Sequence, residues 1–504
     1  MVLPQDDDSK NQIRLDKSLE INAQKVKKEF QGVDTLVSRQ FENRHNSSVK
    51  CCIFFTDGMV ANELINDNIV WPVTSFDSET LPPGGSCVID FLLSKVLQIN
   101  EAKKTTDFDE ITEAVIYGDT VLFAEGCAEA LVLNTKGWPS RGISEPDGEK
   151  VLHGPREGFT EGLLKNLAMV RRKIKSPDLR FKYCTFGRET KTKACICWVG
   201  RLARQEVLDE LERRLDRFDM DGALDVNYLT EFIKDQPMSI FKTVGTTERP
   251  DVVAGKLLEG RVAVFLDGTP EVLTVPYLFI ENFQSNEDYY VNFWYSSFTR
   301  LLRIVAFLLT IIIPAFYVAI VTTQQEELPT PMLLSIAVAR QGVPFPTILE
   351  ALLMVFMFEI LKETGIRMSS NVGQALSIVG ALVIGQAAVE AKIASAPIII
   401  VVAVTGITGL LIPRLTSAVT TLRAAYILIC CVLGVFGLVM GLIGLLIYLV
   451  SLRSFGLPAF HNPTFKGQRH IDTFARAPWW LMQTRPAGMS NDKKRRSGTG
   501  RPQQ

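Results

Sequence analysis

Polar and apolar positions divide the chain into three regions of different character. Residues 1–299 mix charged and apolar segments, residues 300–451 are strongly apolar, and residues 452–504 are basic and rich in proline, glycine and arginine. Apolar segments of about 20 residues can cross a bilayer as helices. The pattern predicts a soluble N-terminal region, an all-α transmembrane domain over residues 289–452 and a basic tail over residues 453–504 that is disordered at its end.

Within the first region, strand-like and helix-like segments alternate. Runs rich in β-branched and aromatic residues, such as 50–55 and 118–126, are separated by segments with helical periodicity. Alternation of this kind is typical of α/β architecture. We expect a polar helical segment and linker over residues 1–45, followed by two α/β subdomains over residues 46–170 and 171–288.

One segment of the first region is repeated. The sequence "GDTVLFAEGCAEALVL" (118–133) aligns without gaps on "GRVAVFLDGTPEVLTV" (260–275), and five positions are identical. In both copies an acidic residue and a glycine separate two strand-like runs, which is the pattern of a hairpin. The repeat predicts that the two subdomains are related; chance similarity over a short window is the alternative.

The apolar region contains five segments, which cover residues 301–321, 344–361, 372–390, 396–412 and 424–450. The start of the chain is polar and does not have the pattern of a signal peptide, so we expect the first region to be cytoplasmic. The basic tail favours the cytoplasmic side as well. Two cytoplasmic ends require an even number of crossings. We expect four spans, with the segment 344–361 re-entrant or interfacial and the short segment 396–412 as second choice for that role.

Aromatic and basic residues flank the apolar region on both sides. Trp294, Arg300 and Arg303 precede or begin the first span, and Trp479 and Trp480 lie in the tail. Tryptophan is enriched where a membrane meets water, and arginine marks the cytoplasmic side. We expect these five residues to be anchors at the membrane interface, so the lipid bilayer is one partner of the chain.

Four glycines in the last apolar segment follow a helical spacing. Gly434, Gly437, Gly441 and Gly444 are separated by three, four and three residues and fall on one helix face. Small residues in this arrangement let a second backbone approach closely. They predict a helix-packing surface.

Two carboxylates interrupt the apolar segment "PFPTILEALLMVFMFEIL" (344–361), namely Glu350 and Glu359. Carboxylates inside a membrane segment are costly and often belong to ion paths, so both are candidate ion-path or gating residues. Nine residues of helix separate them by about 180°, and both therefore cannot face one path. We favour Glu350. A satisfied structural charge is the alternative, most readily for Glu359, which can pair with Lys362.

Composition excludes several other classes of function. The net charge of −1 argues against a general nucleic-acid-binding protein. The nine cysteines form no CxxC pair, and the thiols at 51, 52, 195 and 197 lie in strand-like runs, so we expect reduced core residues. The histidines have no metal-ligand spacing, and no catalytic set stands out. We expect no enzyme activity, no cofactor and no metal site.

Five motifs together resemble one known family. They are "GPREGFTE" (154–161), "TTERPD" (246–251), "PFPTILEALLMVFMFEILKETGIR" (344–367), "SIVGALVIGQAAVEA" (377–391) and "RAPWW" (476–480). In this order they resemble the A subunit of GerA-type spore germinant receptors, and the likeness extends from about residue 40 to 485.

The resemblance implies a place in the inner membrane of bacterial spores. It implies a transporter-like B subunit that binds the germinant, a C-subunit lipoprotein, and self-association into an oligomer that acts as a ligand-gated ion channel. Glu350 and Glu359 match the family pattern. Val355 stands where the family often has an acidic residue, so no role of a carboxylate at that position transfers.

Two further functions remain open. The chain could be a non-conducting signalling or assembly scaffold of the receptor complex. It could also be the sporulation-stage relative that is encoded alongside the dipicolinate channel genes. A secondary transporter is a weaker hypothesis, because four spans without an inverted repeat are too few for those folds.

Overall fold

The computed structural model describes residues 15–77, 88–137, 145–146, 148–367, 380, 383–460, 472–482, 485–486 and 488–491. The chain forms two compact units. Among the described residues, the first unit comprises 15–234, 244–276 and 485–491, and the second comprises 235–243, 277–460 and 472–482.

The first unit begins with an antiparallel sheet of five strands. The strands are β1 (Leu36–Glu42), β2 (Lys50–Thr56), β3 (Ala102–Thr105), β4 (Thr120–Ala124) and β5 (Ala130–Leu133), in the spatial order β1-β2-β4-β5-β3. The accompanying helices are α1 (Leu19–Glu29), α2 (Asn62–Ile65), α3 (Trp71–Ser75), α4 (Val88–Phe91) and α5 (Phe108–Tyr117). Asp107 caps the start of α5, and Gly118, with a φ of 93°, ends it.

A second five-stranded antiparallel sheet follows in the same unit. Its strands are β6 (Leu179–Phe186), β7 (Thr192–Val199), β8 (Gly245–Thr247), β9 (Val262–Leu266) and β10 (Val272–Val275), in the order β6-β7-β9-β10-β8. Its helices are α6 (Leu163–Lys173), α7 (Gln205–Leu215), α8 (Val226–Ile233) and α9 (Pro250–Leu258).

The two sheets have the same topology, which confirms the prediction of two related subdomains. The repeated sequence forms hairpin β4–β5 in one sheet and β9–β10 in the other. The acidic residue of each hairpin turn makes the same kind of contact. Glu125 accepts a hydrogen bond from the Leu19 N–H at 3.1 Å, and Asp267 accepts one from the Leu163 N–H at 3.0 Å. Each carboxylate thus caps the helix that precedes its own sheet.

These contacts move the boundaries of the subdomains away from the predicted positions. Strand β1 lies within residues 1–45, where a helical segment and linker were expected, and helix α6 belongs with the second sheet although residues 46–170 were assigned to the first subdomain. Strand β1 escaped detection because it is an edge strand whose side chains are mostly exposed, so it lacks a buried apolar pattern.

The cysteines in the strands are core residues. Cys51, Cys52, Cys195 and Cys197 are buried free thiols, as the sequence predicted. Burial raises the pKa of the Cys51 thiol to about 12, so this thiol stays protonated and unreactive. Cys127, in contrast, is disulfide-bonded, so the expectation of reduced cysteines does not hold for it.

The second unit is mainly helical. Its helices are α10 (Phe293–Thr322), α11 (Thr330–Ala339), α12 (Thr347–Arg367), α13 (Ala396–Leu410) and α14 (Thr416–Ser451). In the described part of the chain, two helical stretches, Phe293–Thr322 and Pro413–Ser451, are long and apolar enough to cross a membrane. The predicted span 372–390 lies mostly outside the described residues; residues 383–390 are helical.

Helix α14 reverses direction at Gly434, where φ is 59° and ψ is −147°. An ideal Cβ at Gly441 would lie 3.0 Å from the ring of Tyr426, and one at Gly437 would lie 3.0 Å from the carbonyl oxygen of Ile429. In a straight helix, Tyr426 and Gly441 would be about 22 Å apart. Helix α14 is therefore a hairpin of two antiparallel legs, residues 416–433 and 435–451, which corrects the prediction of one continuous span over 424–450.

Candidate functional site at helix α12

Helix α12 carries both candidate carboxylates and packs between three other helices. An apolar cluster joins its residues Ala351 and Val355 to Val318 of α10, Ile398 of α13 and Ile427 of α14. This cluster holds α12 in the helical unit and fixes which way each carboxylate points.

Glu350 lies at the start of α12 and is fully buried. One carboxylate oxygen accepts two hydrogen bonds from Ser395, one from the backbone N–H at 2.6 Å and one from the hydroxyl at 2.5 Å. Ser395 is the N-cap residue of α13. The carboxylate thus meets the positive end of the α13 dipole, which stabilises its negative charge.

Two further polar side chains adjoin Glu350. The Nε of Arg340 lies 3.7 Å from the second carboxylate oxygen, which is an ion-pair distance but too long for a hydrogen bond. The buried hydroxyl of Tyr317 lies near Ser395 and the carboxylate. Glu350 therefore faces a polar group formed by the start of α13 together with residues of α10 and the α11–α12 connection.

Glu359 lies about two and a half turns further along α12 and contacts another helix. Its carboxylate pairs with Arg423 of α14 and with Lys362 of α12 itself, and it accepts a hydrogen bond from the Thr420 hydroxyl at 3.3 Å. The Arg423 side chain is buried, whereas the Glu359 side chain is 23% exposed. The Lys362 pair is the one that the sequence suggested.

The two carboxylates therefore serve different surfaces, as their separation along the helix requires. Glu350 contacts α13, and Glu359 contacts α14. The sequence offered a choice between an ion path and a satisfied charge for each. In this arrangement both charges have partners, and the favoured role of Glu350 in an ion path stays a prediction.

The predicted glycine surface is used within the hairpin. Gly437 and Gly441 lie against the first leg of α14, so the helix that approaches them closely belongs to the same element. Gly434 forms the turn: a Cβ there would lie 2.4 Å from the hydroxyl oxygen of Thr323. Gly444 is exposed and has no such neighbour within 4 Å among the described residues.

Two of the predicted anchors form ion pairs within the unit. The Arg300 side chain is fully buried, 2.9 Å from the Asp472 carboxylate, and Arg303 donates hydrogen bonds to Asp288 at 2.9–3.0 Å. The Arg300 guanidinium is therefore not presented to lipid headgroups, since the fold brings Asp472 of the tail to the start of α10.

The predicted tryptophan anchors lie nearer the surface. Trp294 is 74% exposed, Trp479 is 53% exposed and Trp480 is 38% exposed. The Trp479 ring contacts the Tyr289 ring at a tilted angle, and the Trp480 ring meets Phe293 edge to face. Their exposure leaves them free to meet a membrane interface, a role that stays a prediction.

Sequence reasoning did not identify the partners of these charges. Ser395, Arg423, Asp288 and Asp472 are the residues that it missed. A basic residue beside an apolar segment, as Arg423 is in "TTLRAAY", is a usable signal, because a carboxylate buried nearby requires a partner. Ser395 carries no such signal, since serine is common at helix starts.

The motif "GPREGFTE" forms a structural contact in the first unit. Arg249, within "TTERPD", is buried and donates hydrogen bonds to the carbonyl oxygens of Pro155 and Glu149. Gly162 is the N-cap residue of α6, and the Asp267 carboxylate accepts the hydrogen bond from the Leu163 N–H at the start of that helix. The two motifs thus hold the connection between the subdomains against the second sheet.

Among the described residues, no group of three or more histidine, cysteine or acidic side chains could hold a metal ion.

The family described as Bacillus/Clostridium GerA spore germination protein matches residues 24–488. Spore germination protein KA of Bacillus subtilis (strain 168) is 38% identical over 485 residues, which cover 95% of this chain and 88% of that protein. Spore germination protein GerLA of Bacillus cereus is 31% identical, with 87% of this chain and 89% of that protein covered.

A solved structure is also similar to this chain. The crystal structure of the N-terminal domain of the A subunit of the Bacillus megaterium spore germinant receptor GerK3 is 30% identical; the match covers 53% of this chain and 98% of that chain, with a TM-score of 0.43. The family match over nearly the whole chain assigns the chain to a family. The chain belongs to the GerA spore germination protein family.

Proposed function

We propose that this chain is the membrane subunit of a nutrient-sensing spore germination receptor. Assembled as an oligomer, it forms a channel that releases cations when a germinant binds the receptor complex. Spore germination proteins KA and GerLA match this chain over 88% and 89% of their own length, which supports the receptor role. The channel itself rests on the charges of α12.

The observation that carries the channel proposal is the set of buried charges around α12. Glu350, Glu359 and Arg423 lie where α12 packs against mainly apolar faces of its neighbouring helices, and Glu350 and Arg423 are almost completely buried. Charges in such a place are expensive even when paired, and they typically mark ion paths or moving parts. An apolar side chain at these positions would pack at lower cost if stability were the whole purpose.

The proposed location is the spore inner membrane, with both ends of the chain in the cytoplasm. Residues 485–491 belong to the first unit, where Asn491 donates a hydrogen bond from its backbone N–H to the Leu202 carbonyl at 3.1 Å. A chain that enters the membrane after the first unit and later rejoins that unit crosses an even number of times. The partners are the B and C subunits that the resemblance implies, other copies of the chain, and lipid.

A flux measurement tests the proposal. The purified chain is reconstituted with its receptor partners in liposomes loaded with potassium, and release is measured with and without nutrient. Nutrient-dependent release is expected, and it should require this chain. If neither the complex nor variants that germinate spontaneously release any ion, the channel proposal is wrong.

The second candidate is a non-conducting scaffold that relays germinant binding to other membrane proteins. The pairing of both carboxylates within a single chain favours it, because a satisfied charge needs no path. Spores that carry Glu350→Gln together with Glu359→Gln distinguish the two. Normal nutrient-triggered ion release from these spores supports the scaffold and contradicts the channel.

A further inference from the structure

Helix α12 is fastened to its neighbours by two polar contacts that differ in strength. At its start, Glu350 is fully buried and holds both the backbone N–H and the hydroxyl of Ser395. Further along the helix, Glu359 holds Arg423 through side chains alone and is partly exposed. A backbone hydrogen bond at a buried helix start is hard to replace, whereas the Glu359–Arg423 ion pair is easier to exchange, because Glu359 has a second ionic partner.

Lys362 gives Glu359 a partner that moves with it. Both residues lie on α12, one turn apart, and they form an ion pair. If α12 moves away from α14, the Glu359 carboxylate loses Arg423 but keeps Lys362. The carboxylate at the start of the helix has no comparable partner on α12 among the described residues, since Glu350 relies on Ser395 and on Arg340 of the preceding connection.

We propose that Ser395 and Arg423 are positioning residues that hold helix α12 in the closed state of the proposed channel, with different roles. The Glu350–Ser395 contact is a fixed pivot, and the Glu359–Arg423 ion pair is a latch that holds α12 in the closed arrangement and opens when the receptor is activated. The inference rests on the proposed channel function. It adds which residues hold the closed state and which end of α12 moves.

Packing around the latch agrees with this division. The apolar cluster around α12 contains Val355 and Ile427, and Cys431 of α14 packs against it. Movement of α12 away from α14 would uncover Cys431, a free thiol that is already partly exposed. The native chain therefore contains its own reporter for the latch.

The test measures helix movement and ion release separately in the full-length chain. The latch variants are Glu359→Gln and Arg423→Gln, and Glu363→Gln is the matched control, since it neutralises an exposed carboxylate one turn further along the same helix. In a Cys430→Ser background, the rate at which a maleimide labels Cys431 reports movement, and potassium release from liposomes without nutrient reports conduction.

We expect both latch variants to label and to leak about tenfold faster than the parent chain, as a shift toward the open state requires. The control should do neither. Glu359→Asp keeps the charge and should return both rates toward those of the parent chain, which separates loss of the latch from loss of folding.

The outcomes distinguish the latch from the channel. Faster labelling without ion release supports the latch and counts against conduction by this chain. Unchanged labelling in both latch variants overturns the latch whatever the flux. Faster labelling in Glu359→Asp to the same extent also overturns it, because the pairing charge is then not the cause.

Discussion

At the scale of single residues, Gly434 has a backbone conformation that only glycine adopts readily. Its φ of 59° and ψ of −147° reverse helix α14, and a Cβ would lie 2.4 Å from the Thr323 hydroxyl oxygen. The N–H of Val435, next to the turn, donates to the side-chain oxygen of Gln324 at 3.0 Å. Glycine adopts this conformation without the strain that another residue would have. The Gln324 side chain, just after the end of α10, holds the backbone beside the turn.

Replacement of Gly434 by alanine should destabilise the helical unit by at least about 2 kcal/mol. The backbone strain of the turn and the steric overlap of the new Cβ with Thr323 both contribute. Thermal unfolding of the chain in detergent measures the loss. Gly444→Ala is the matched control, since a Cβ at Gly444 meets nothing within 4 Å and alanine favours helix by up to about 1 kcal/mol. Equal effects of the two substitutions would contradict the tight turn.

A second residue-scale prediction concerns Glu210 on helix α7. Hydrogen bonds from Arg213 and Arg214 lower the pKa of its carboxyl to about 2. A lowered folded-state pKa stabilises the fold above the ordinary pKa of a carboxyl, near 4.5, and the contribution is lost as the pH falls through the window between about 4.5 and about 2. The pair lies near the surface, so the contribution should stay below about 1 kcal/mol.

Glu210→Gln should therefore lower stability at pH 7 slightly and leave stability near pH 2 unchanged. Urea unfolding at several pH values checks this, with Glu189→Gln as control, since the described residues show no ion pair for the exposed Glu189. A loss that persists undiminished at pH 2 would show that packing, and not charge, is responsible.

At the scale of elements, the hairpin of α14 makes a topological prediction. Its two legs are about 26 Å long at 1.5 Å per residue, which approaches the thickness of a bilayer core. Both ends of α14 should then lie on one side of the membrane. In a chain whose native reactive thiols are replaced, Ser417→Cys and Ser451→Cys should react with an impermeant maleimide from the same side.

Val432 is the matched position near the turn, and its side chain is 78% exposed. A cysteine there should not react from the side that labels residues 417 and 451. Labelling of residues 417 and 451 from opposite sides would mean that α14 crosses once, which contradicts the hairpin.

At the scale of the whole molecule, the end of the chain takes part in the fold of the first unit. Met489 is 1% exposed, and Arg204 donates a hydrogen bond to the Gly488 carbonyl at 3.0 Å. These contacts place part of the basic tail, which was expected to end in disorder, on the second subdomain. Residues 492–504 lie outside the described residues.

Met489→Ala should lower the stability of the first unit by about 3 kcal/mol, the usual cost of removing a buried side chain of this size. The loss is measured as the change in the free energy of unfolding of the full-length chain. Met220→Ala is the control, since Met220 is 39% exposed, and it should cost much less. An equal cost would show that the tail segment does not pack as the structure describes.

The sequence by itself determined the features that depend on neighbouring residues. The alternation of short strands and helices predicted the α/β region, the aligned turn glycines at Gly126 and Gly268 predicted the duplicated hairpin, and the apolar runs predicted the helical region. The spacing of Glu350 and Glu359 already required two different faces. Each of these follows from periodicity or turn chemistry within a few residues.

Only the tertiary structure decided which partners the charges meet and where the chain turns back. Ser395 is 45 positions from Glu350, and Arg423 is 64 positions from Glu359. Gly434 has the same spacing as its neighbouring glycines, yet of the four it forms the turn, where it meets Thr323 and Gln324, which follow the end of α10. Such contacts depend on how whole helices pack, and no local pattern contains that information.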